Sequence, residues 1–238
     1  MKISVSGTYS AGKTSTVMAL SHYLGLPRAL ARTIREILPE AVPGKALAEV
    51  TPAEFLHLML RRHCGRAVAE ARLGDSFLSD GSSLQEWLYG AARVVHGMNP
   101  NATAANEGGL APEVSAGMRF FGEVVDEYGK AFRRHVKETY DVFIHLEHEL
   151  EIVSDGHRPM NKGFRDTIDR MLLETVEELG IPLHRVSGSM PERMEKITAV
   201  LGLTPVMSIG QAFELSMREY DAQDFRLETE RVSSTTGV

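Results

Sequence analysis

The chain has 238 residues, enough to bury a sizeable core in one domain with insertions. Its 26 Lys and Arg residues against 32 Asp and Glu residues give a formal charge of −6, which argues against general binding to nucleic acid or to anionic membranes. The single cysteine, Cys64, excludes an internal disulfide framework. With no predicted export signal and no apolar run of about 18 residues, the sequence indicates a soluble cytoplasmic protein.

The amino-terminal stretch carries the most specific motif of the chain. Residues 7–14, GTYSAGKT, fit the phosphate-binding pattern G-x-x-x-x-G-K-[ST], between a strand predicted at 2–7 and a helix predicted at 13–24. Backbone N–H groups and the helix dipole bind phosphate in such a turn. The sequence therefore predicts a nucleoside triphosphate site, with Lys13 on the β- and γ-phosphates and the Thr14 hydroxyl on Mg²⁺. The residues expected to bind the nucleotide here are Gly7, Ser10, Ala11, Gly12, Lys13, Thr14 and Ser15.

Strand and helix patterns alternate along the rest of the chain. Further strands are predicted within 28–37 and at 76–80, 141–146 and 181–186, and helices at 51–72, from Ser82 or Ser83 onward, and at 117–138, 166–179, 190–200 and 209–221. This alternation favours an α/β fold with a doubly wound, parallel, five-stranded sheet, in which ligands bind at the carboxyl ends of the strands. We expect one domain over 1–202, followed over 203–238 by a helix and a disordered tail.

Two long loops interrupt the alternation. Residues 97–116 are rich in Gly, Pro, Asn and Ala and show no period, which predicts an insertion loop. Residues 154–165, SDGHRPMNKGFR, are polar and dense in cations. We predict that they form a lid whose Arg158 and Arg165 fold over the phosphate chain, because phosphoryl transfer gains most from positioned positive charge. The alternative is a solvated basic loop.

Several other side chains are candidates for chemistry. Asp80 ends a predicted strand and can hold Mg²⁺ or accept the proton of an attacking hydroxyl, or else cap the next helix. Glu36 is a rival base, with an exposed helical acid as the alternative. Trp87 is a candidate for the acceptor pocket, with a core position as the alternative. His145 and His148 lie three apart around a strand end, so we expect core or surface histidines rather than a metal pair.

Two arginine pairs are interpreted as solvated faces of helices rather than as nucleic-acid patches. They are Arg61-Arg62 and Arg133-Arg134.

On these motifs the chain resembles the P-loop nucleoside and nucleotide kinases. It is most similar to the group that contains the nicotinamide riboside kinase domain and the related small AAA-type ATP-binding domains of bacteria. The resemblance covers about residues 1–202. It rests on GTYSAGKT at 7–14, SDGSS at 79–83, DGHR at 155–158 with Arg165, and ELGIPLHRVSGSMPERMEKI at 178–197.

This resemblance implies a parallel-sheet core with a mobile lid and transfer of the γ-phosphate of ATP·Mg²⁺ to a small acceptor. It further implies that Asp80 binds the metal or activates the acceptor, and that Arg158 and Arg165 belong to the lid. Three residues are expected near the adenine: Gly188, Ser189 and Met190.

One position departs from the family pattern. Many of these kinases have Asp-Arg or Glu-Arg at the strand end, whereas Gly81 follows Asp80 here. The departure argues against a standard deoxynucleoside or thymidylate kinase and favours another acceptor, such as a nucleoside-like metabolite or a natural product. The leading hypothesis is an ATP- and Mg²⁺-dependent small-molecule kinase, and the alternative is a nucleotide-dependent regulatory ATPase or switch. The oligomeric state, a homodimer included, stays open.

Overall fold

The computed structural model describes residues 1–29, 31–100, 115–147 and 161–222. Within them, five parallel strands form one sheet in the order β2-β3-β1-β4-β5. The strands are β1 (Lys2–Ser6), β2 (Arg28–Ala29), β3 (Phe77–Asp80), β4 (Val142–Leu146) and β5 (Leu183–Val186). The α/β fold with a doubly wound parallel sheet is therefore confirmed.

Helices connect the strands and begin at identifiable caps. They are α1 (Lys13–Leu24), α2 (Ile34–Ala41), α3 (Pro52–Ala71), α4 (Ser83–His96), α5 (Ala116–Thr139), α6 (Lys162–Leu179), α7 (Met190–Leu201) and α8 (Ile209–Asp221), with a 3₁₀ turn at Leu47–Glu49. The Thr51 hydroxyl accepts a hydrogen bond from Glu54 N at the start of α3. The Ser82 hydroxyl accepts one from Leu84 N at the start of α4, so Ser82 rather than Asp80 caps that helix.

Helix α6 begins earlier than the sequence predicted. The Asn161 side chain accepts a hydrogen bond from Phe164 N and so caps a helix that starts at Lys162 rather than at 166. Arg165 therefore lies in the first turn of a helix, which corrects the predicted boundary of the lid. The parts of the predicted loops and tail that lie outside the described residues are 101–114, 148–160, which includes Arg158 and His148, and 223–238.

Successive side chains of the strands face two different layers of helices. Ile3 and Val5 of β1 and Ile144 of β4 pack against α1, α7 and α8. Phe77 of β3 and Phe143 of β4 point to the other face and pack against α4, α5 and α6. A third apolar cluster joins α2, α3 and α5 beside α4. The sheet is thus covered on both faces, which leaves the carboxyl ends of its strands as the edge where a site can form.

Helix α8 packs directly against α1. Ala212 is fully buried in the same cluster as Leu20 of α1. Glu219 lies 3.0 Å from His22 Nε2 and forms an ion pair with Arg28. The division of the chain at residue 202 stays a prediction, and residues 203–222 contribute side chains to the core beside α1.

Candidate functional site

The turn between β1 and α1 follows the carboxyl end of the central strand. Its backbone enters the left-handed region at Ser10 and at Gly12, where φ is 63° and 79°. A Cβ at Gly7 would lie 3.0 Å from the Leu146 carbonyl oxygen, so only glycine allows the turn to approach the end of β4 this closely. The first helical turn of α1 contains no acidic side chain. The N–H groups at its start and the positive end of the helix dipole can therefore act on an anion.

Two cationic side chains bind carbonyl groups of this turn. Lys13 Nζ donates a hydrogen bond to Thr8 O at 2.8 Å. From α7, Arg193 Nη1 donates to Ala11 O at 2.9 Å. Arg193 is buried, and sequence analysis missed it, since it is separated from the loop by most of the chain. The turn is thus held from both the α1 and the α7 side.

Thr14 and Asp80, both predicted to hold Mg²⁺, are in contact. Asp80 ends β3 and pairs in register with Val5 of β1, which brings it beside the first turn of α1. The Thr14 hydroxyl donates a hydrogen bond to Asp80 Oδ2 at 2.5 Å. A hydroxyl and a carboxylate at one point are oxygen donors of the kind that Mg²⁺ prefers.

The donor set fits magnesium better than a transition metal. Within the described ranges, no three His, Cys, Asp or Glu side chains converge in a way that could hold a metal ion. Mg²⁺ does not need such a cage, because it is commonly held by one or two protein oxygens together with substrate phosphates and water.

Directly behind Asp80 lies a buried cluster of charges. Arg66 of α3 has 2% of its surface exposed, and its Nη1 donates to Asp80 O at 3.0 Å and to Ser79 Oγ at 3.1 Å. Its Nη2 donates to Glu86 Oε1 of α4 at 3.2 Å. The Ser79 hydroxyl in turn donates to Glu70 Oε1 at 2.7 Å. Burial is the largest single influence and disfavours the charged form of Arg66, but the attraction of Glu86, Tyr140, Glu70 and Asp80 together outweighs it and raises the pKa of the guanidinium.

The cluster extends to Arg62, whose Nη1 lies 2.7 Å from Glu86 Oε2. The interpretation of Arg62 as part of a solvated face is wrong, because only 14% of its side chain is exposed. Arg61 is more exposed and pairs with Glu40 of α2 at 3.0 Å. On the other side of the cluster, the Tyr140 hydroxyl donates to Glu70.

His63 lies at the outer edge of this cluster. Its Nδ1 is 2.8 Å from the Ser83 hydroxyl of α4, and its ring meets His135 of α5 edge-on at 5.1 Å. Burial lowers the pKa of His63 to about 4; the neighbouring His135 and Arg66 act in the same direction and Glu70 acts against them. His63 is therefore neutral near pH 7.

On the opposite side of the phosphate turn, Tyr9 connects the turn to α4 and α6. Its hydroxyl donates to Asn161 O at 3.3 Å, and its ring stacks on Tyr89 at 6.5 Å. Burial raises the pKa of the Tyr9 hydroxyl, and the charges of Arg165 and Arg93 act in the opposite direction. Arg165 thus lies near the phosphate turn, although it is only 6% exposed and belongs to a helix.

Arg93 of α4 is a further buried arginine that sequence analysis missed. Its guanidinium lies 4.2 Å from the centre of the Phe55 ring and donates to the carbonyl groups of Tyr89 and Met98. Because it is desolvated, its pKa is lowered to about 10. These contacts fasten the end of α4 to α3.

The structure does not bring Glu36 and Trp87 together with Asp80. The Glu36 carboxylate accepts a hydrogen bond from Thr33 N at 2.5 Å and closes the capping box of α2. Trp87 packs between α4 and α5, where a Cβ at Gly129 would lie 2.6 Å from its Nε1. The contacts of Trp87 are those of a core side chain, and no contact of Glu36 with the described part of the chain points to the role of a base.

The segment predicted to lie near the adenine follows β5. Gly188 has a φ of 108°, and Ser189 forms a capping box with Glu192 at the start of α7. The same helix contributes Arg193, which contacts the phosphate turn. Gly188, Ser189 and Met190 therefore lie at the edge of the sheet that carries the turn, and their role toward adenine stays a prediction.

His145 is a core histidine, as predicted. It is 2% exposed, and its two ring nitrogens lie 3.3 Å from Ser6 Oγ and 3.3 Å from Asp169 Oδ1. Its contacts link the end of β1 to α6 rather than to a metal site.

Comparison with solved structures shows the same fold in a nucleoside kinase. The deoxyadenosine kinase from M. mycoides with bound dCTP matches with a TM-score of 0.52 and 14% identity, over 85% of this chain and 99% of that chain. The same kinase with the products dCMP and a flexible dCDP bound matches with a TM-score of 0.54 and 13% identity over the same shares. At such identities the likeness concerns the fold.

Sequence comparison places the chain in a family. No curated protein matches it. None of the described helices is both long and apolar enough to span a membrane. The model of the AAA domain family matches residues 2–193, which include the phosphate turn, Asp80 and Arg193. Because the match spans most of the chain, the chain belongs to this AAA domain family of P-loop nucleotide-binding proteins.

Proposed function

We propose that the chain is an ATP- and Mg²⁺-dependent phosphotransferase that acts on a small-molecule acceptor. The observation that carries the proposal is the 2.5 Å hydrogen bond between Thr14 Oγ1 and Asp80 Oδ2 beside the phosphate turn. These two residues would hold Mg²⁺, whose contribution would be to neutralise charge on the nucleotide phosphates.

Cations around the turn support this proposal. Lys13 donates to a neutral carbonyl, that of Thr8, and a phosphate oxygen is a stronger acceptor for an ammonium group. We therefore propose that Lys13 exchanges Thr8 O for the β- and γ-phosphates when ATP binds. Arg165, near Tyr9 in the first turn of α6, is the candidate for a cation on the transferred phosphoryl group. The corresponding role of Arg158 stays a prediction.

The two carboxylate oxygens of Asp80 can take different roles. Oδ2 accepts the Thr14 hydroxyl, whereas Oδ1 makes no hydrogen bond within the ranges that the structure describes. We propose that the Oδ2 side contributes to the metal site and that Oδ1 accepts the proton of the acceptor hydroxyl during in-line transfer. Asp80→Asn removes the charge needed for both roles.

The acceptor we propose is nucleoside-like. Two solved structures of similar fold are those of a deoxyadenosine kinase with deoxycytidine nucleotides bound, which favours this class. Gly81, in place of the arginine that many nucleoside kinases have, favours an acceptor other than the common deoxynucleosides.

Phosphate transfer from labelled ATP to a panel of nucleosides and related metabolites tests the proposal. We expect Lys13→Ala and Asp80→Asn to lower turnover by at least about 100-fold, because each removes charge stabilisation of the transition state. Lys130→Ala is the matched control, since this lysine is 72% exposed on α5 and, among the described residues, pairs with its neighbour Glu127.

Three outcomes would contradict the proposal. Turnover that survives both site variants would mean that these residues do not perform the chemistry. Slow ATP hydrolysis with no phosphorylated acceptor would favour a regulatory ATPase instead. A protein that does not bind ATP in calorimetry would exclude both functions.

A further inference from the structure

The carbonyl group of Asp80 lies at the end of β3, one residue beyond the part of this strand that pairs with β2. Strand β2 pairs with β3 only at Leu78 and Ser79 within the described residues. On the other side, the next amide, Gly81 N, donates to Val5 O at 2.9 Å. The oxygen of Asp80 instead accepts its hydrogen bond from Arg66 Nη1 at 3.0 Å. A side chain of α3 thus completes the strand end that carries the candidate metal ligand.

The backbone turns directly after Asp80, and Gly81 is held there by two hydrogen bonds to β1: its N–H donates to Val5 O, and its carbonyl oxygen accepts from Ser4 Oγ at 3.1 Å. Gly81 has a φ of 76°, so the chain turns through the left-handed region at once. A residue at such a turn can shift its main chain unless neighbouring groups fix it. Arg66 also binds the hydroxyl of Ser79, so one guanidinium holds two successive residues of β3.

Arg66 is itself held by an opposite charge. Glu86 of α4 is 1% exposed and accepts from Arg66 Nη2 at 3.2 Å and lies 2.7 Å from Arg62 Nη1. A buried ion pair is weak evidence for stability, because desolvation of both groups offsets their attraction. The pair can instead fix the orientation of a side chain, and here it orients the guanidinium of Arg66 toward Asp80 O.

We propose that Arg66, held by Glu86, is a positioning residue that fixes the main chain of Asp80 and so sets the affinity of the site for Mg²⁺-bound nucleotide. The inference rests on the proposed function and names no contact between Arg66 and the nucleotide. Arg66 acts only through Asp80.

This relation is testable by binding alone. We would measure the affinity for ATP by calorimetry with Mg²⁺ and with EDTA, and take the ratio of the two dissociation constants as the magnesium effect. In wild type we expect Mg²⁺ to tighten binding, and in Asp80→Asn we expect most of that effect to be lost. Arg66→Met should reduce the magnesium effect at least about fivefold, while affinity in EDTA changes less than twofold.

The double variant with Asp80→Asn distinguishes positioning from general damage. If Arg66 acts through Asp80, adding Arg66→Met to Asp80→Asn leaves the magnesium effect where Asp80→Asn alone puts it. Arg28→Met is the matched control: Arg28 is also a largely buried, ion-paired arginine, but its partner is Glu219 of α8. It should leave the magnesium effect at the wild-type value.

Each result decides a specific point. Where Arg66→Met does not fold, Arg66→Lys and Glu86→Gln carry the test, and each should reduce the magnesium effect by a smaller factor. A wild-type magnesium effect in these variants would overturn the inference and leave the proposed function intact. No magnesium effect in wild type, or none lost in Asp80→Asn, would overturn the proposed role of Asp80 itself.

Discussion

The close packing of Trp87 on Gly129 predicts how much a larger side chain at position 129 would destabilise the protein. A Cβ at Gly129 of α5 would lie 2.6 Å from Trp87 Nε1 and 2.7 Å from its Cε2. Real Cβ atoms do not approach this closely, and the ring is held between α4 and α5, so the helices would have to move apart. Overpacking of this kind costs about 1–3 kcal/mol of the free energy of unfolding.

Gly122 of the same helix is a matched control. A Cβ there would meet Val94 at 3.6 Å, which is an ordinary contact. Gly129→Ala and Gly122→Ala gain the same helix propensity, about 1 kcal/mol, so the difference between their stabilities isolates the contact with Trp87. We expect Gly129→Ala to be less stable than Gly122→Ala by about 1–3 kcal/mol.

Urea unfolding followed by fluorescence measures this difference, because Trp87 is the only tryptophan of the chain. At about 2–4 °C per kcal/mol, the melting temperatures should also separate clearly. Equal stability of the two variants would refute the packing argument. A change in the KM of an acceptor, with stability unaltered, would instead place Trp87 in the acceptor site.

Two further predictions concern Gly81 and His63. Gly81→Arg introduces the arginine that many of the kinases in the resemblance have, but the backbone at Gly81 has a φ of 76° and a Cβ there would lie 3.1 Å from Gln85 Oε1. We therefore expect this variant to lose about 2 kcal/mol of the free energy of unfolding in urea, without a gain in turnover. Gly81→Asn should lose less, because asparagine tolerates the left-handed region better. Wild-type stability of Gly81→Arg would contradict this. Because the pKa of His63 is about 4 when folded and about 6.5 when unfolded, the unfolded chain binds more protons between these values, and stability should fall as the pH drops through that window. After allowance for partial exposure, the loss from pH 7 to pH 5 should be about 1 kcal/mol smaller in His63→Asn than in wild type, and equal losses would show that His63 does not titrate in this way.

The sequence predicted the phosphate turn correctly, because that part of the site is formed by residues that are consecutive in the chain. Residues 2–14 specify a strand, the turn of GTYSAGKT and a helix start within one short stretch, and the structure has all three. Asp80 was identifiable because parallel strands end at one edge, which brings an acid after β3 beside the helix after β1.

The supporting arginines were not identifiable in the same way. Arg66 and Arg193 lie inside helices, and their targets, Asp80 O and Ala11 O, are main-chain atoms without a sequence signature. One signal was available for Arg66: it continues the apolar stripe of α3 at a spacing of four with Arg62, so it faces the core rather than water. A charge on an apolar stripe predicts a buried partner, but the sequence does not show which one.

The packing of α8 on α1 determines where the chain can be truncated. A truncation after residue 202 would follow the boundary suggested by the kinase resemblance, but it would remove α8 and expose part of the apolar cluster that α1 and Ala212 share. Such a fragment should aggregate on expression. Helix α8 thus supports the helix whose first turn belongs to the phosphate site.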